Sequence, residues 1–197
     1  MVGHRPLEAS ILVRVQVRQQ TKPMKLNLII IDGPIGAGKS TVAKLLHKKL
    51  KRTALLSLDR IKWLVSDFKP VRNDLQLASD IGKAMTKEYF KNKINVIVEK
   101  AFTRKEFVEN FTKLKRNKKI NIFVYQIETP LETAIRRVAK RAYPPYIKVK
   151  KRPSPAKIKR NHKNYSLYKY GKARVFNSIK LNPRQIVKEI LKEIKSS

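Results

Sequence analysis

The stretch Leu28-Ile29-Ile30-Ile31-Asp32-Gly33-Pro34-Ile35-Gly36-Ala37-Gly38-Lys39-Ser40-Thr41 constrains the chain more than any other. An apolar run stops at a glycine-rich turn, and a helix-forming stretch, Val42 to Leu50, follows at once. Gly33, Gly38, Lys39 and Ser40 satisfy the spacing G-x-x-x-x-G-K-[ST] of a phosphate-binding loop. Glycines let the backbone curl so that successive N–H groups point into one concavity. The helix behind adds free amides and the positive end of its dipole. Gly33, Pro34, Ile35, Gly36, Ala37, Gly38, Lys39, Ser40 and Thr41 are therefore the candidate nucleotide-binding residues. Lys39 would reach the β- and γ-phosphates of ATP, and the Ser40 hydroxyl would ligate Mg²⁺. The chain has only six glycines and three lie in this turn, which argues against a chance match.

The pattern of strand and helix continues along the chain. Leu26–Ile31 is apolar almost throughout, as a central parallel strand covered on both faces requires. A helix from Gly38 to about Lys51 follows it. Thr53–Leu58, Ile94–Glu99, Ile120–Ile127 and Ala173–Phe176 read as further strands. Helices are expected between them. One runs over Ile61–Phe68 and ends at Lys69-Pro70. Another is capped by Asn73 or Asp74. Capping boxes at Thr103-Arg104-Lys105-Glu106 and Thr129-Pro130-Leu131-Glu132 open two more. Asn182-Pro183-Arg184-Gln185 starts a last helix, with Ile186, Val187, Ile190, Leu191 and Ile194 on one face. Strands alternating with helices imply a parallel sheet with helices on both faces. Ligands then sit beyond the carboxyl ends of the strands. The positions to examine are the Gly33–Ser40 loop, Asp59-Arg60, Glu99-Lys100, Glu128 and Asn177.

Two segments stand apart. Residues 1–23 lack a helical stripe and read as a disordered appendage, with the folded domain starting at Met24. Residues 142–160 hold Pro144, Pro145, Pro153 and Pro155 among lysines and arginines, and read as a basic flap rather than core. Tyr165, Leu167, Tyr168 and Tyr170 suggest a helix returning to the body.

At 197 residues the chain fits one domain with a real core. There is no cysteine, so neither a disulfide nor a thiolate metal site is possible; a cytoplasmic location fits. No apolar run approaches a membrane span. The net charge of +33 attracts polyanions, so nucleic-acid adhesion is expected whether the charge is functional or a compositional bias.

With the loop, Asp59, Glu99 and an arginine-bearing helix in hand, the chain resembles a P-loop kinase of the nucleoside and nucleotide kinase type. It is most similar to the branch holding polynucleotide 5′-hydroxyl kinases, chloramphenicol phosphotransferase and zeta-toxin-like kinases. The resemblance covers about Lys25 to Lys195. It implies a three-layer α/β/α P-loop fold with a five-stranded parallel sheet ordered 2-3-1-4-5, and a lid at about 142–160. It implies that Asp59 acts as general base on an acceptor hydroxyl. It also implies that arginines four apart on the helix after the fourth strand, here Arg137 and Arg141, lie beside the transferring phosphoryl group. ATP and Mg²⁺ are the implied cofactors, with Ser40 and Glu99 as metal-side residues. Arg60 and Lys62 stand where the polynucleotide kinases carry an acidic residue and an arginine, which leaves the acceptor pocket open.

Each position has a plainer role as well. Asp59 either serves the acceptor or caps the following helix. Glu99 either holds a Mg²⁺-bound water or the acceptor, or caps the next turn. Arg137 and Arg141 either reach the site or form a solvated face. Asp32 fixes the loop backbone, His47 is expected at the surface, and nothing marks His162 as a ligand. Trp63, Phe68 and Lys62 follow Asp59, where an acceptor would dock, although core packing is the expectation for Trp63. Kinase catalysis on a small molecule, a nucleoside or a nucleic-acid 5′ end is the first reading. A nucleoside monophosphate kinase is the second, and a nucleotide-dependent nucleic-acid-binding protein the third. A GTPase switch is disfavoured, because no Asn-Lys-x-Asp base-reading motif follows a late strand. The chain is also short for an ABC or AAA+ machine.

Overall fold

The computed structural model describes residues 25–67, 69, 72–101, 105–116, 119–141, 152–166 and 170–196. The expected appendage at 1–23, the Thr103 capping box, Phe68 and most of the basic flap lie outside the described residues. The elements run β1 (Leu26–Asp32), α1 (Lys39–Lys49), β2 (Thr53–Ser57), α2 (Leu58–Lys62), α3 (Arg72–Lys91), β3 (Asn95–Glu99) and α4 (Lys105–Thr112). They continue with β4 (Ile120–Glu128), α5 (Leu131–Ala139), α6 (Pro155–Ser166), β5 (Arg174–Asn177) and α7 (Pro183–Lys195).

The strands form one parallel sheet in the order β2-β3-β1-β4-β5, as the resemblance implied. Side chains alternate along β1 between two cores. Leu28 and Ile30 join Leu58, Val98, Phe107 and Phe111 on the face covered by α2, α3 and α4. Ile29 and Ile31 join Leu46, Phe123, Tyr125 and Ile190 on the face covered by α1 and α7. Burial on both faces explains why β1 carries no polar alternation. Register sets the functional end of the sheet: Ile31 pairs with Glu99, and Ser57 also pairs with Glu99, so β1, β2 and β3 end at one level.

Several local expectations are corrected. Neither Asn73 nor Asp74 stands ahead of the helix, because α3 begins earlier, at Arg72; the Asp74 carboxylate accepts from the Lys69 amide. At α5 the cap position is Pro130, with no side-chain bond to the helix, and Thr129 Oγ1 meets Arg137 instead. The helix expected over Ile61–Phe68 is replaced by the short α2, which starts directly after β2 and gives way to turns at Trp63. Trp63 is exposed rather than packed in the core. His47 is half-buried, its Nε2 2.9 Å from the Thr53 carbonyl. The last part of the expected flap is helical: α6 begins at Pro155 and buries Ile158 against Ala134 and Val138 of α5.

The start of α7 follows its sequence signature. Asn182 Oδ1 accepts from the amides of Arg184 and Gln185, while Gln185 Oε1 accepts from the Asn182 amide. Pro183 sits at the first helical position, where its missing N–H costs nothing. Asn182→Ala should remove about 1 kcal/mol of stability. A thermal melt should then show the midpoint lowered by roughly 2–4 °C.

Candidate active site

The loop between β1 and α1 has the conformation its glycines allow. Gly33, Gly36 and Gly38 all have positive φ, at 148°, 83° and 100°. Two of them also lack room for a side chain. A Cβ on Gly33 would lie 2.3 Å from the Ile127 carbonyl oxygen, and one on Gly36 would lie 2.8 Å from Ala134 of α5. The loop is thus pressed against β4 and α5 on one side and opens on the other. Inside it the Ala37 amide donates to the Pro34 carbonyl at 3.3 Å. Lys39 is buried, and its Nζ donates to the same carbonyl at 2.8 Å. Burial pushes the Lys39 pKa down; Glu99, Asp32 and Asp59 oppose that shift, and Arg141 adds to it.

Asp32 is fully buried and fixes the loop entrance. Its Oδ1 accepts from the Gly33 amide at 2.6 Å, and its Oδ2 accepts from the Tyr165 hydroxyl at 3.2 Å. Tyr165 belongs to α6, which grips the loop at a second point. The Ile35 amide donates to Asn161 Oδ1 at 2.8 Å, and the Ile35 carbonyl lies 2.9 Å from His162 Nε2. A carbonyl only accepts, so this geometry requires the proton on Nε2. Sequence reading gave Asn161 and His162 no role. Their contacts span more than a hundred residues of chain, and no local pattern announces them.

At the ends of β1, β2 and β3 a second set of groups meets. The buried carboxylate of Glu99 accepts from Ser40 Oγ, at 3.1 Å for Oε2, and from Ser57 Oγ at 2.8 Å for Oε1. A hydroxyl and a carboxylate this close are hard oxygen donors suited to Mg²⁺, which typically takes one or two protein oxygens beside phosphate and water. Among the described residues no group of three or more His, Cys, Asp or Glu could hold a metal. A phosphate-borne Mg²⁺ fits this donor set, and a dedicated protein cage does not.

Asp59 stands in the first turn of α2 with its side chain 53% exposed. Lys62 Nζ is 2.7 Å from Asp59 Oδ1. Partial loss of water at this crowded strand end would by itself raise the Asp59 pKa. The adjacent Lys62 ammonium, with Lys39 and Lys100 beyond it, outweighs that and holds the carboxyl below its ordinary value. Lys100 is buried directly after Glu99, with Nζ 4.9 Å from the Phe107 ring centre. Burial lowers its pKa, while Asp59 and Asp32 counter that and Lys62 reinforces it. Its place at a strand end drew attention to Lys100, but a buried ammonium facing Asp59 was not foreseen.

Arg137 and Arg141 line a cavity of about 350 Å³ together with Gly36–Val42, Ser178 and Ile186. The two arginines do not share a helix face, because α5 ends at Ala139 and Arg141 lies beyond it. Arg137 Nη1 donates to Ser178 Oγ at 2.9 Å, and Nη2 donates to the Ser178 carbonyl at 3.1 Å. Asp59 and Glu99 are not among the residues around this cavity. Lys39 belongs to both regions, since it lines the cavity and senses Glu99 and Asp59.

A protein-family model described as an AAA domain matches residues 28–165. No curated protein matches the sequence. A sugar kinase from Janibacter sp. HTCC2649 superposes with a TM-score of 0.65 at 11% identity, over 86% of this chain and 95% of that one. The Mycobacterium tuberculosis APS kinase in complex with AMPPNP and APS gives 0.64 at 19% identity, over 88% and 99%. A chain of the Pnkp1/Rnl/Hen1 RNA repair complex gives 0.54 at 16% identity, over 75% and 46%. At these identities the likeness is one of fold.

The grip of α6 is testable. His162→Ala should weaken nucleotide binding about 2- to 10-fold, the effect of one hydrogen bond. His162→Gln keeps a donor and should recover most of the loss. Titration with a fluorescent nucleotide would read both.

Proposed function

The chain belongs to this AAA-domain family, and we propose that it is an ATP-dependent phosphotransferase delivering the γ-phosphate to a hydroxyl. One observation carries the reading. A phosphate loop, a serine–carboxylate pair and an ionised aspartate flanked by lysines meet at one end of a parallel sheet. The kinase-like fold and the AMPPNP-bound neighbour support it without fixing the acceptor.

The residues divide the work. Amides of the loop would hold the phosphate oxygens, and Lys39 would leave the Pro34 carbonyl to meet the β- and γ-phosphates. Ser40 and Glu99 would hold Mg²⁺, directly or through water. When bound, that ion would supply positive charge against the phosphates. Arg141, and Arg137 if it exchanges Ser178 for a phosphate oxygen, would take up the charge that develops during transfer. Asp59 would orient the acceptor hydroxyl and receive its proton. ATP is available in the cytoplasm, and we place the enzyme there. The basic segment at 142–160 would act as the lid, with α6 as its anchored end.

ADP release measured against a panel of hydroxyl and phosphate acceptors tests the proposal. Turnover with a hydroxyl acceptor supports it. Turnover only with a nucleoside monophosphate would shift the assignment to that kinase class. Lys39→Met should abolish ADP production. Asp59→Asn should lower kcat about 100-fold or more while ATP still binds; full activity in that variant would remove Asp59 as the base.

The pH profile offers a second check. A carboxyl whose pKa is depressed stays charged until the pH falls through that lowered value. Asp59 should therefore be ionised throughout about pH 5–8 and contribute no limb to the rate there. A limb in that range that vanishes in Asp59→Asn would contradict the arrangement seen around Lys62.

A further inference from the structure

The end of the sheet remote from the phosphate loop has no part in the mechanism above, yet positive charge gathers there. An exposed cation stands ahead of each of four adjacent strands: Arg52 before β2, Lys93 before β3, Lys25 before β1 and Lys119 before β4. Register puts the four strand starts at one level, since Thr53 pairs with Asn95, Leu28 with Val96 and Leu26 with Ile120. Neighbouring strands lie about 4.8 Å apart, so the row is roughly 15 Å long. The acids Asp32, Asp59, Glu99 and Glu128 stand at or just past the other ends of the same strands. Residues 25–27, 47–53, 87–95 and 113–121, which lead into these strands, hold thirteen lysines and arginines and one acid. That acid, Glu88, is paired with Lys91 at 2.7 Å. A lysine-rich composition alone would not sort the two signs to opposite ends of one sheet.

The backbone under this row is fixed. Arg52 and Lys93 have positive φ, at 44° and 55°, in turns where glycine or asparagine is the natural residue. A long cation in that conformation strains the backbone, and a cation one turn earlier would serve a helix end as well. Behind the row, Asn95, Asn27 and Asn121 form a ladder across β3, β1 and β4. The Asn27 backbone amide donates to Asn95 Oδ1 at 2.8 Å, and Asn121 Nδ2 donates to Asn27 Oδ1 at 3.4 Å. The Arg52 carbonyl accepts from the Asn95 backbone amide at 2.9 Å, which pins the Arg52 turn to the sheet.

A straight row of fixed cations fits an extended polyanion. Stable seating on a bilayer would also call for apolar side chains to insert, and among the described residues none of the exposed large apolar side chains falls in these stretches. A nucleic acid needs only its phosphates met, and it presents them in a line at close, regular spacing. We infer that this end of the sheet is a docking surface for the phosphate backbone of a nucleic acid, independent of base sequence and separate from the catalytic cleft. The phosphate loop lies at the other end of the strands, so a polymer held here is an anchor and not an acceptor. Docking of this kind stands apart from the phosphotransferase reading.

Anisotropy of a labelled DNA duplex of about 20 base pairs, titrated with the full chain at several salt concentrations, tests the surface. Two triple variants remove equal charge. One carries Lys25→Gln, Arg52→Gln and Lys93→Gln in the row; the other carries Lys172→Gln, Lys180→Gln and Lys188→Gln, exposed positions around β5 and α7. The row variant should bind about 10-fold or more weakly, with the slope of log affinity against log salt reduced by roughly 2–3. The second variant should lose about 2-fold or less. Equal losses would overturn the inference, because the field of the whole chain would then account for binding. No loss in the row variant would overturn it too. Arg52→Gly with Lys93→Gly separates binding from folding, since glycine relieves the backbone at both turns. Duplex affinity should fall in that variant while the melting midpoint holds or rises; unchanged affinity would sink the docking surface. Capture of phosphatidylserine vesicles through the row, with no duplex bound, would replace the nucleic acid by a membrane. ADP release is read separately and bears on the phosphotransferase reading alone.

Discussion

A buried carboxylate at the mouth of the loop sets the positions of the other groups. Asp32 is taken wholly out of water, which is costly for a charge unless it is well partnered. Its partners are the first amide of the loop and a hydroxyl from α6, 133 residues along the chain. The same charge helps offset the burial of Lys39 and Lys100. Loop backbone, returning helix and buried ammonium groups are therefore fixed with reference to one another. The close approaches of Gly33 to Ile127 and of Gly36 to Ala134 lock the loop against the sheet from the other side.

The parts legible in the sequence were those coded locally. The apolar run of β1, the glycine spacing of the loop and the Asn182–Gln185 box each occupy a few consecutive residues, and each took the form its pattern implied. The sheet order came from the resemblance rather than from periodicity. Where two local rules competed, the reading failed. Thr129-Pro130 has the letters of a capping box, but the proline occupies the cap position and Thr129 turns to Arg137. Trp63 was assigned to the core on its residue type, because sequence does not show that α2 stops one residue earlier. The contacts of Lys100, Asn161, His162 and Ser178 were beyond sequence reading for a different reason. Their partners lie on other strands and helices, and only the folded sheet brings them near the loop.

Charge is distributed unevenly in kind, if not along the chain. At the exposed ends of helices, lysines pair with nearby acids in ordinary surface bridges, such as Lys91 with Glu88 and Lys192 with Glu189. Such pairs contribute little to stability. Lys39 and Lys100 are different, since each ammonium is held in low dielectric where a newly arriving anion would interact strongly. The overall positive field would draw an anion toward the molecule, and these buried groups would act on it only at the end of β1 and β3.

The Glu99 carboxylate has one further consequence. It accepts from Ser40 on the loop and from Ser57, the residue from which α2 departs with Asp59. A cation drawn to Ser40 would compete for electron density that Ser57 also relies on. The seats of donor and acceptor therefore share a single negative charge, so that filling one alters the footing of the other before any bond is broken.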